Sequence, residues 1–170
     1  ITHIQFDNEY EVLADGVDVS KAKEYTKKTY QPRGTTALYD AVGKAMTMVS
    51  ARIEAMPKKS RPMVLVAILT DGQENASREY TKDAVKALIA KNEKEGWSVV
   101  YLGVGFDQMT AVALSSALGI NAGHTMTVDH TGKGLKYGGQ SLCFMSSSVR
   151  STGTLGDISG LSKHDGTDDE

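Results

Sequence analysis

Two oxygen-bearing side chains, Thr36 and Asp71, occupy positions in the sequence that are typical of ligand-binding residues. Asp71 follows residues 63–69, an unbroken apolar run, and Thr36 lies between a turn set by Pro32 and Gly34 and a helical pattern. Ligands of open α/β sheets gather beyond the carboxyl ends of the strands, which is where Asp71 would lie. A hydroxyl and a carboxylate suit Mg²⁺, Ca²⁺ or Mn²⁺ rather than zinc.

Each of these side chains also has a purely structural alternative. The Thr36 hydroxyl could cap the helix that it precedes, and Asp71 could cap the loop and the helix that follow it. Gly72 allows the backbone to turn sharply after Asp71. Glu74 and Asp107 could be outer groups of the same site, with helix capping the favoured role for Asp107. The residues alone leave these alternatives open.

The elements that must position Thr36 and Asp71 are predicted from apolar periodicity. Strands are expected at residues 2–7, 10–13, 63–69, 97–104 and 124–129. The first two should form an antiparallel hairpin at a sheet edge, and the last should turn its threonines outward. Helices are expected from near residue 36 to a stop at Pro57, and at residues 81–95, 108–118 and 134–150, with a short helix or loop at residues 20–30.

Alternating strands and helices predict an α/β fold with a mostly parallel sheet and helices on both faces. The 170 residues fit one domain, which we place at residues 1–150. Residues 151–170 form an acidic tail rich in Ser, Gly and Asp. Because this composition buries little apolar surface, we expect the tail to be ordered only by a neighbouring subunit or partner.

Charge and composition exclude several partners. A net charge of -2 and a pI near 6.1 give no footprint for nucleic acid or an anionic membrane surface. The lone cysteine, Cys143, favours a cytoplasmic or virion location over secretion and is expected to be a small buried hydrophobe. The sequence opens at Ile1 inside a strand pattern, so upstream residues are expected and the localisation stays open.

Short motifs of enzymes occur but are incomplete. Residues 20–23 match a serine-lysine spacing by chance, residues 103–105 lack the later glycine of a dinucleotide loop, and residues 139–143 lack the last glycine of a nucleophile elbow. His124 and His130 flank a predicted edge strand with no cysteine or third histidine nearby, so neither is expected to bind zinc. We therefore expect a protein that is not an enzyme.

Two segments resemble metal-site motifs of the von Willebrand factor A domain family, in its bacterial and phage type. PRGTTALYDA, which contains Thr36, is similar to the second motif of that family, and AILTDGQENAS, which contains Asp71, is similar to the third. The resemblance covers residues 1–150. It implies a Rossmann-like three-layer sandwich, with a mostly parallel sheet, one antiparallel edge strand and helices on both faces. It also implies that Thr36 and Asp71 are ligands of Mg²⁺, or of Mn²⁺ or Ca²⁺.

The resemblance implies a divalent-metal-dependent protein-binding module, with an acidic side chain of the protein partner completing the metal shell. The first motif of the family, Asp-x-Ser-x-Ser, is missing, because the chain begins downstream of its expected place. Its strand would lie between the strands at residues 2–7 and 63–69. The alternative is a structural subunit of a larger assembly, such as a phage particle, that uses the fold as a scaffold without metal.

Overall fold

The computed structural model describes residues 1–23 and 34–162, and the predicted element at residues 20–30 lies largely outside them. The described part has five strands and four α-helices. In chain order these are β1 His3–Phe6, β2 Tyr10–Ala14, α1 Leu38–Glu54, β3 Leu65–Thr70, α2 Lys82–Lys94, β4 Ser98–Val104, α3 Gln108–Ala117, β5 Thr125–Val128 and α4 Gly132–Thr152. The boundaries follow the predicted ones closely, with α1 beginning two residues after Thr36.

The first two strands form the predicted antiparallel hairpin. Ile4 lies opposite Val12, and Phe6 lies opposite Tyr10. The Asp7 carboxylate accepts a 2.6 Å hydrogen bond from the amide of Glu9 and so closes the tight connection between the strands. The hairpin is a separate two-stranded sheet.

The other three strands form a parallel sheet in the order β3-β4-β5. Val66 of β3 pairs with Val99 of β4, and Leu102 of β4 pairs with Met126 of β5. All seven residues of β4 are buried, as expected for the inner strand of a parallel sheet covered on both faces. The predicted parallel α/β core is confirmed.

Alternate residues of β4 face two different apolar clusters. Val99 and Tyr101 pack in the first cluster with side chains of β3, α1, α2 and α3. Val100 and Leu102 pack in the second cluster with β5 and with Met145 of α4. Both clusters are built from fully or nearly fully buried side chains, so they supply most of the apolar burial that stabilises the fold.

The hairpin and the parallel sheet are not joined by backbone pairing. The sequence predicted one sheet with an antiparallel edge strand and a further strand between residues 2–7 and 63–69; in the structure β1 and β3 do not pair and belong to separate sheets. Within the described residues, no strand pairs with the outer edge of β3, where Leu69 is 45% exposed. Helix α1 connects the two sheets, because Phe6 of β1 packs against the same cluster as the buried face of α1.

The threonines of β5 depart from the prediction. Thr125 and Thr127 are fully buried rather than turned outward. The Thr125 hydroxyl donates to Ser115 Oγ over 2.7 Å, and the Thr127 hydroxyl donates to Gln108 Oε1 over 3.3 Å. Helix α3 therefore supplies the polar partners that allow hydroxyl groups inside the core.

The segment after α4 also departs from the prediction. Ile158 is buried, its amide donates to Gly123 O over 2.7 Å, and Ser162 Oγ donates to Gln108 Oε1 over 2.8 Å. The expectation that another chain orders the tail at residues 151–170 is therefore wrong for residues 151–162, which pack on their own domain. Residues 163–170 lie outside the described part.

Cys143 is exposed on α4, so its expected burial is wrong. In residues 1–23 and 34–162, no helix combines the length and the apolar character that a membrane span requires.

Candidate functional site

The Thr36 backbone is fixed between the hairpin and the loop that follows β3. Its amide donates to Asn75 Oδ1 over 2.9 Å, and its carbonyl accepts from the Asn75 amide over 3.0 Å. The next amide, of Ala37, donates to Asp7 O over 2.7 Å at the end of the hairpin strand β1. Three short backbone contacts therefore hold Thr36 at the carboxyl edge of the parallel sheet.

Gly72 and Thr36 are in close contact. A Cβ atom added to Gly72 would lie 2.4 Å from Thr36 Oγ1, which is inside the contact distance of any two non-bonded heavy atoms. The Thr70 hydroxyl holds the turn, because it accepts from the Gly72 amide over 3.2 Å and donates to the Gly72 carbonyl over 2.9 Å. The turn therefore needs glycine for space beside the Thr36 hydroxyl rather than for a left-handed backbone.

The Thr36 hydroxyl does not cap α1. Ala37 occupies the N-cap position and makes no side-chain capping bond. Residues from the loop after β3 cap the helix instead, since Glu74 Oε2 accepts from the Tyr39 amide over 2.9 Å and Ser77 Oγ accepts from the Asp40 amide over 3.1 Å. Thr36 Oγ1 has no hydrogen-bond partner among residues 1–23 and 34–162, so this side chain is available to a ligand.

Glu74 is a structural residue of this loop. Its carboxylate also accepts from the amides of Ala76 and Ser77, and from the Ser77 hydroxyl over 2.7 Å. Burial opposes the ionisation of Glu74, but these bonds and the one from Tyr39 outweigh it and lower the pKa of the carboxyl group. All of this hydrogen bonding is internal to the fold, so Glu74 is not placed as an outer group of a metal site.

Asp40 of α1 in turn accepts hydrogen bonds from the backbone of the same loop. It lies in the first turn of α1, and its carboxylate accepts from the amides of Arg78, Glu79 and Tyr80 over 2.8, 2.9 and 2.7 Å. Burial opposes ionisation here too, but the three backbone bonds outweigh it and lower the pKa of Asp40. Asp40 was not predicted from the sequence, in which an aspartate in a first helical turn is the only signal for it.

Asp71 does not cap an element of the fold. Helix α2 is capped by Thr81, whose hydroxyl accepts from the Ala84 amide over 3.2 Å. In the described part of the chain Asp71 accepts no backbone hydrogen bond, and its side chain is 61% exposed. Its ionic neighbour is His130, with 3.4 Å between His130 Nε2 and Asp71 Oδ2. The capping alternative for Asp71 is therefore wrong.

His130 reaches Asp71 from the loop between β5 and α4. It lies over Gly105, which follows β4 with a φ of 71°, and a Cβ atom there would lie 3.3 Å from the His130 Cβ. The Gly105 amide donates to Val128 O over 2.8 Å and ties the two loops together. Loops after β3, β4 and β5 thus bring Asp71 and Gly105 to His130 at the carboxyl edge of the sheet.

Asp107 lies near this edge but is used by α3, as the sequence predicted. Its carboxylate accepts from the Thr110 hydroxyl over 2.6 Å and from the Thr110 amide over 2.9 Å. Both hydrogen bonds lower the pKa of Asp107, and the bond from the Thr110 hydroxyl has the larger effect. Asp107 is the N-cap of α3.

A groove of about 540 Å³ adjoins the Thr36 segment on the side of the hairpin. It is bounded by the hairpin turn, the first turns of α1 and residues 75–79. Lys44 crosses it, pairing with Glu79 over 2.6 Å and lying 5.6 Å from the centre of the Tyr10 ring. The groove is therefore polar and carries charges of both signs.

The donor set at the edge fits a hard divalent cation. Thr36 Oγ1 has no hydrogen-bond partner in the described part of the chain, and the Asp71 carboxylate, on the adjoining loop, is exposed and contacts only His130 there. The described residues contain no group of three or more His, Cys, Asp or Glu side chains placed to bind a metal. Water or a partner would have to supply the other ligands, which Mg²⁺ accepts.

Comparison of the sequence with protein-family models gives no match, and neither does comparison with curated proteins.

Proposed function

We propose that this chain is a protein-interaction module whose binding face holds a divalent cation at Thr36 and Asp71. The observation that carries the proposal is that, in the described part of the chain, neither the Thr36 hydroxyl nor the Asp71 carboxylate caps a helix or accepts a backbone hydrogen bond. Glu74 and Ser77 cap α1, and Thr81 caps α2, so neither Thr36 nor Asp71 is needed for capping. An exposed carboxylate and a hydroxyl without a partner among the described residues, on adjoining loops, are both accessible to a ligand.

The ion would be Mg²⁺, or Mn²⁺ or Ca²⁺, because all three prefer oxygen ligands. Water would fill the coordination positions that the chain does not supply. An acidic side chain of a partner protein could replace one of these waters, giving a short charge-assisted contact. The resemblance of the two segments around Thr36 and Asp71 to metal-site motifs of von Willebrand factor A domains supports the same reading.

The same proposal includes the layered fold of that family. The two apolar clusters, with α1, α2 and α3 in one and α4 in the other, support helices on both faces of the sheet. An additional strand between β1 and β3 would complete a single mixed sheet. The outer edge of β3, which pairs with no other described strand, and the separate hairpin support this additional strand.

The direct test is the binding of the metal alone. Titration calorimetry of the chain with Mg²⁺ and Mn²⁺ should give one saturable site, which Asp71→Ala removes and Thr36→Ala weakens. Thr36→Ser should restore binding because it keeps the oxygen. Thr35→Ala, on the exposed neighbouring residue, is the matched control. Unchanged binding in Asp71→Ala would refute the site.

A second candidate function is a scaffold subunit of a larger assembly, such as a phage particle, that needs no metal. The exposed apolar edge of β3, with Leu69, favours it, because a neighbouring chain could cover that edge. Partner capture in the presence of Mg²⁺ and in the presence of chelator separates the two functions. Partner capture that is unchanged by chelator and by Asp71→Ala favours the scaffold function.

A further inference from the structure

We propose that His130 is an additional ligand of the ion held at Asp71, which gives the face a preference for divalent ions that accept nitrogen. This inference rests on the proposed metal site and extends it by one residue. The observation behind it is the 3.4 Å distance between His130 Nε2 and Asp71 Oδ2. With metal–ligand distances of ~2.0–2.2 Å, two neighbouring ligand atoms lie roughly 3.0 Å apart on an octahedral ion and roughly 3.4 Å apart on a tetrahedral one, so a small shift of the exposed imidazole suffices for either geometry.

The position of His130 is set by the backbone rather than by its own loop alone. Gly105 has a left-handed conformation and no side chain, and the His130 Cβ occupies the space above it. The hydrogen bond from Gly105 to Val128 holds the loops after β4 and β5 together. As a result the imidazole is directed across the sheet edge toward Asp71.

Both side chains are open to solvent, with 68% of His130 and 61% of Asp71 exposed. An exposed pair of this kind contributes little to stability, because water screens the charges. Exposure also leaves the imidazole nitrogen and the second carboxylate oxygen accessible to an ion. His130 was not expected to bind a metal because it has no cysteine or third histidine near it in the sequence, but the fold brings the carboxylate of Asp71 to it.

Nitrogen ligation has a signature that a simple ion pair lacks. The affinity of sites with oxygen or nitrogen ligands rises along the series from Mn²⁺ through Co²⁺ to Ni²⁺, and an imidazole ligand makes this rise steeper, because imidazole suits Ni²⁺ whereas carboxylate and water suit Mn²⁺. Mg²⁺ prefers oxygen and gains little from an imidazole. The contrast between Ni²⁺ and Mg²⁺ therefore reports whether His130 is a ligand.

The test is titration calorimetry of the whole chain with Mg²⁺, Mn²⁺, Co²⁺ and Ni²⁺, at about pH 8, where an imidazole is a neutral ligand. We expect His130→Ala to weaken Ni²⁺ and Co²⁺ binding by at least about tenfold and to leave Mg²⁺ binding unchanged. His124→Gln is the control, because His124 precedes β5 and so lies at the opposite edge of the sheet. This substitution should change the binding of neither Ni²⁺ nor Mg²⁺.

Nuclear magnetic resonance locates the bound ion independently of the calorimetry. Substoichiometric Mn²⁺ should broaden the amide signals of residues 71, 72, 105 and 130 first, because paramagnetic broadening falls steeply with distance. Broadening centred elsewhere overturns the inference. Nickel binding that is unchanged in His130→Ala also overturns it.

The failure of this inference is distinguishable from the failure of the proposed function. If Asp71→Ala abolishes Mg²⁺ binding while His130→Ala leaves the rise from Mn²⁺ to Ni²⁺ intact, the metal site stands and His130 is not a ligand. If His130→Ala strengthens Mg²⁺ binding, the histidine is only a competing ion-pair partner of Asp71, and the inference is again overturned. If no ion binds the wild-type chain, both proposals are overturned.

Discussion

Asp40 and Glu74 hold each other's segments in place. Glu74, in the loop after β3, accepts the amide of Tyr39 at the start of α1, and Asp40, in α1, accepts the amides of residues 78–80 in the same loop. Each carboxylate therefore satisfies backbone donors of the other's element. The reciprocal arrangement fixes the loop that carries Asp71 against the helix that follows Thr36.

The first prediction concerns acid stability. The pKa values of Asp40 and Glu74 are lower in the folded chain than their ordinary values of 3.8 and 4.5. As the pH falls, the unfolded chain therefore takes up protons on these two groups before the folded chain does. Their contribution to the free energy of unfolding is fully present above about pH 5 and decreases as the pH drops through 4.5 and 3.8 toward the lowered values. Urea unfolding at a series of pH values between neutrality and about pH 3 measures this decline.

Asp40→Asn should flatten that decline and destabilise the chain by about 1–3 kcal/mol at neutral pH, because one acceptor oxygen becomes an amide that cannot accept. Asp83→Asn removes the same charge from an exposed position in the first turn of α2 and is the matched control. An acid profile that is the same in Asp40→Asn and in wild type would contradict this explanation.

The second prediction concerns Gly72. Gly72→Ala should destabilise the loop and weaken metal binding, because the new Cβ would lie 2.4 Å from Thr36 Oγ1 and displace that side chain. Addition of Thr36→Ala should restore much of the lost stability by removing the clash, but it should not restore metal binding. Urea unfolding and calorimetry on both single variants and the double variant test the coupling. Strictly additive losses of stability would show that the two residues are not in contact.

A third prediction compares two helical glycines. A Cβ at Gly43 in α1 would lie 2.2 Å from the Tyr80 ring, whereas a Cβ at Gly139 in α4 meets nothing within 4 Å. Gly43→Ala should therefore destabilise the chain. Gly139→Ala should stabilise it by about 0.5–1 kcal/mol, because alanine has the better helix propensity. Thermal unfolding of both variants gives the two signs, and two stabilising substitutions would contradict the close packing of α1 on Tyr80.

The fourth prediction concerns the hydroxyl of Tyr101. This side chain is fully buried, and its hydroxyl has no hydrogen-bond partner in the described part of the chain. Tyr101→Phe should therefore stabilise the chain, by up to about 1 kcal/mol, because it removes an unsatisfied polar group. Destabilisation of that size would reveal a partner for the hydroxyl.

The burial of Tyr101 also predicts how the stability of the chain changes at alkaline pH. Burial raises the pKa of Tyr101 to about 12 from an ordinary value of 10.0. The folded chain keeps a proton that the unfolded chain has lost, so the contribution of Tyr101 to stability is lost as the pH rises from about 10 to 12. Urea unfolding across this range should show a smaller alkaline decline for Tyr101→Phe than for wild type.

The fifth prediction concerns the outer edge of β3. Leu69 is 45% exposed on a strand edge that pairs with no strand in residues 1–23 and 34–162, which is a combination that favours strand addition between molecules. Leu69→Lys should therefore reduce self-association of the chain at high concentration. Analytical ultracentrifugation measures this, with Met109→Lys as the control at an apolar residue that is 83% exposed outside any strand. Equal effects of the two substitutions would indicate nonspecific association.

The parts of this fold that were predictable from sequence depend on local patterns. The apolar run before Asp71, the helical spacing after Thr36 and the cap at Asp107 each involve residues within a few positions of one another. The reciprocal bonds of Asp40 and Glu74 join residues 35 to 40 positions apart, so no short pattern reveals them.

Two other features were missed because composition averages over residues. Thr125 and Thr127 have the polarity of surface residues, but they are buried because Ser115 and Gln108 of α3 supply hydrogen bonds. The segment at residues 153–162 is mostly small and polar, and three apolar residues anchor it to the second cluster, Leu155, Ile158 and Leu161. A few well-placed side chains therefore outweighed an average that favours disorder.

The separation of the hairpin from the parallel sheet also bears on how the molecule opens. No ladder of backbone hydrogen bonds connects β1 to β3, and among the described residues the hairpin is held by its contacts with α1 and by the hydrogen bond from Ala37 to Asp7. Such a unit has its own opening free energy, smaller than that of global unfolding. Native-state hydrogen exchange should accordingly show the amides of β1 and β2 exchanging through a partial opening, while those of β4 exchange only when the whole domain unfolds.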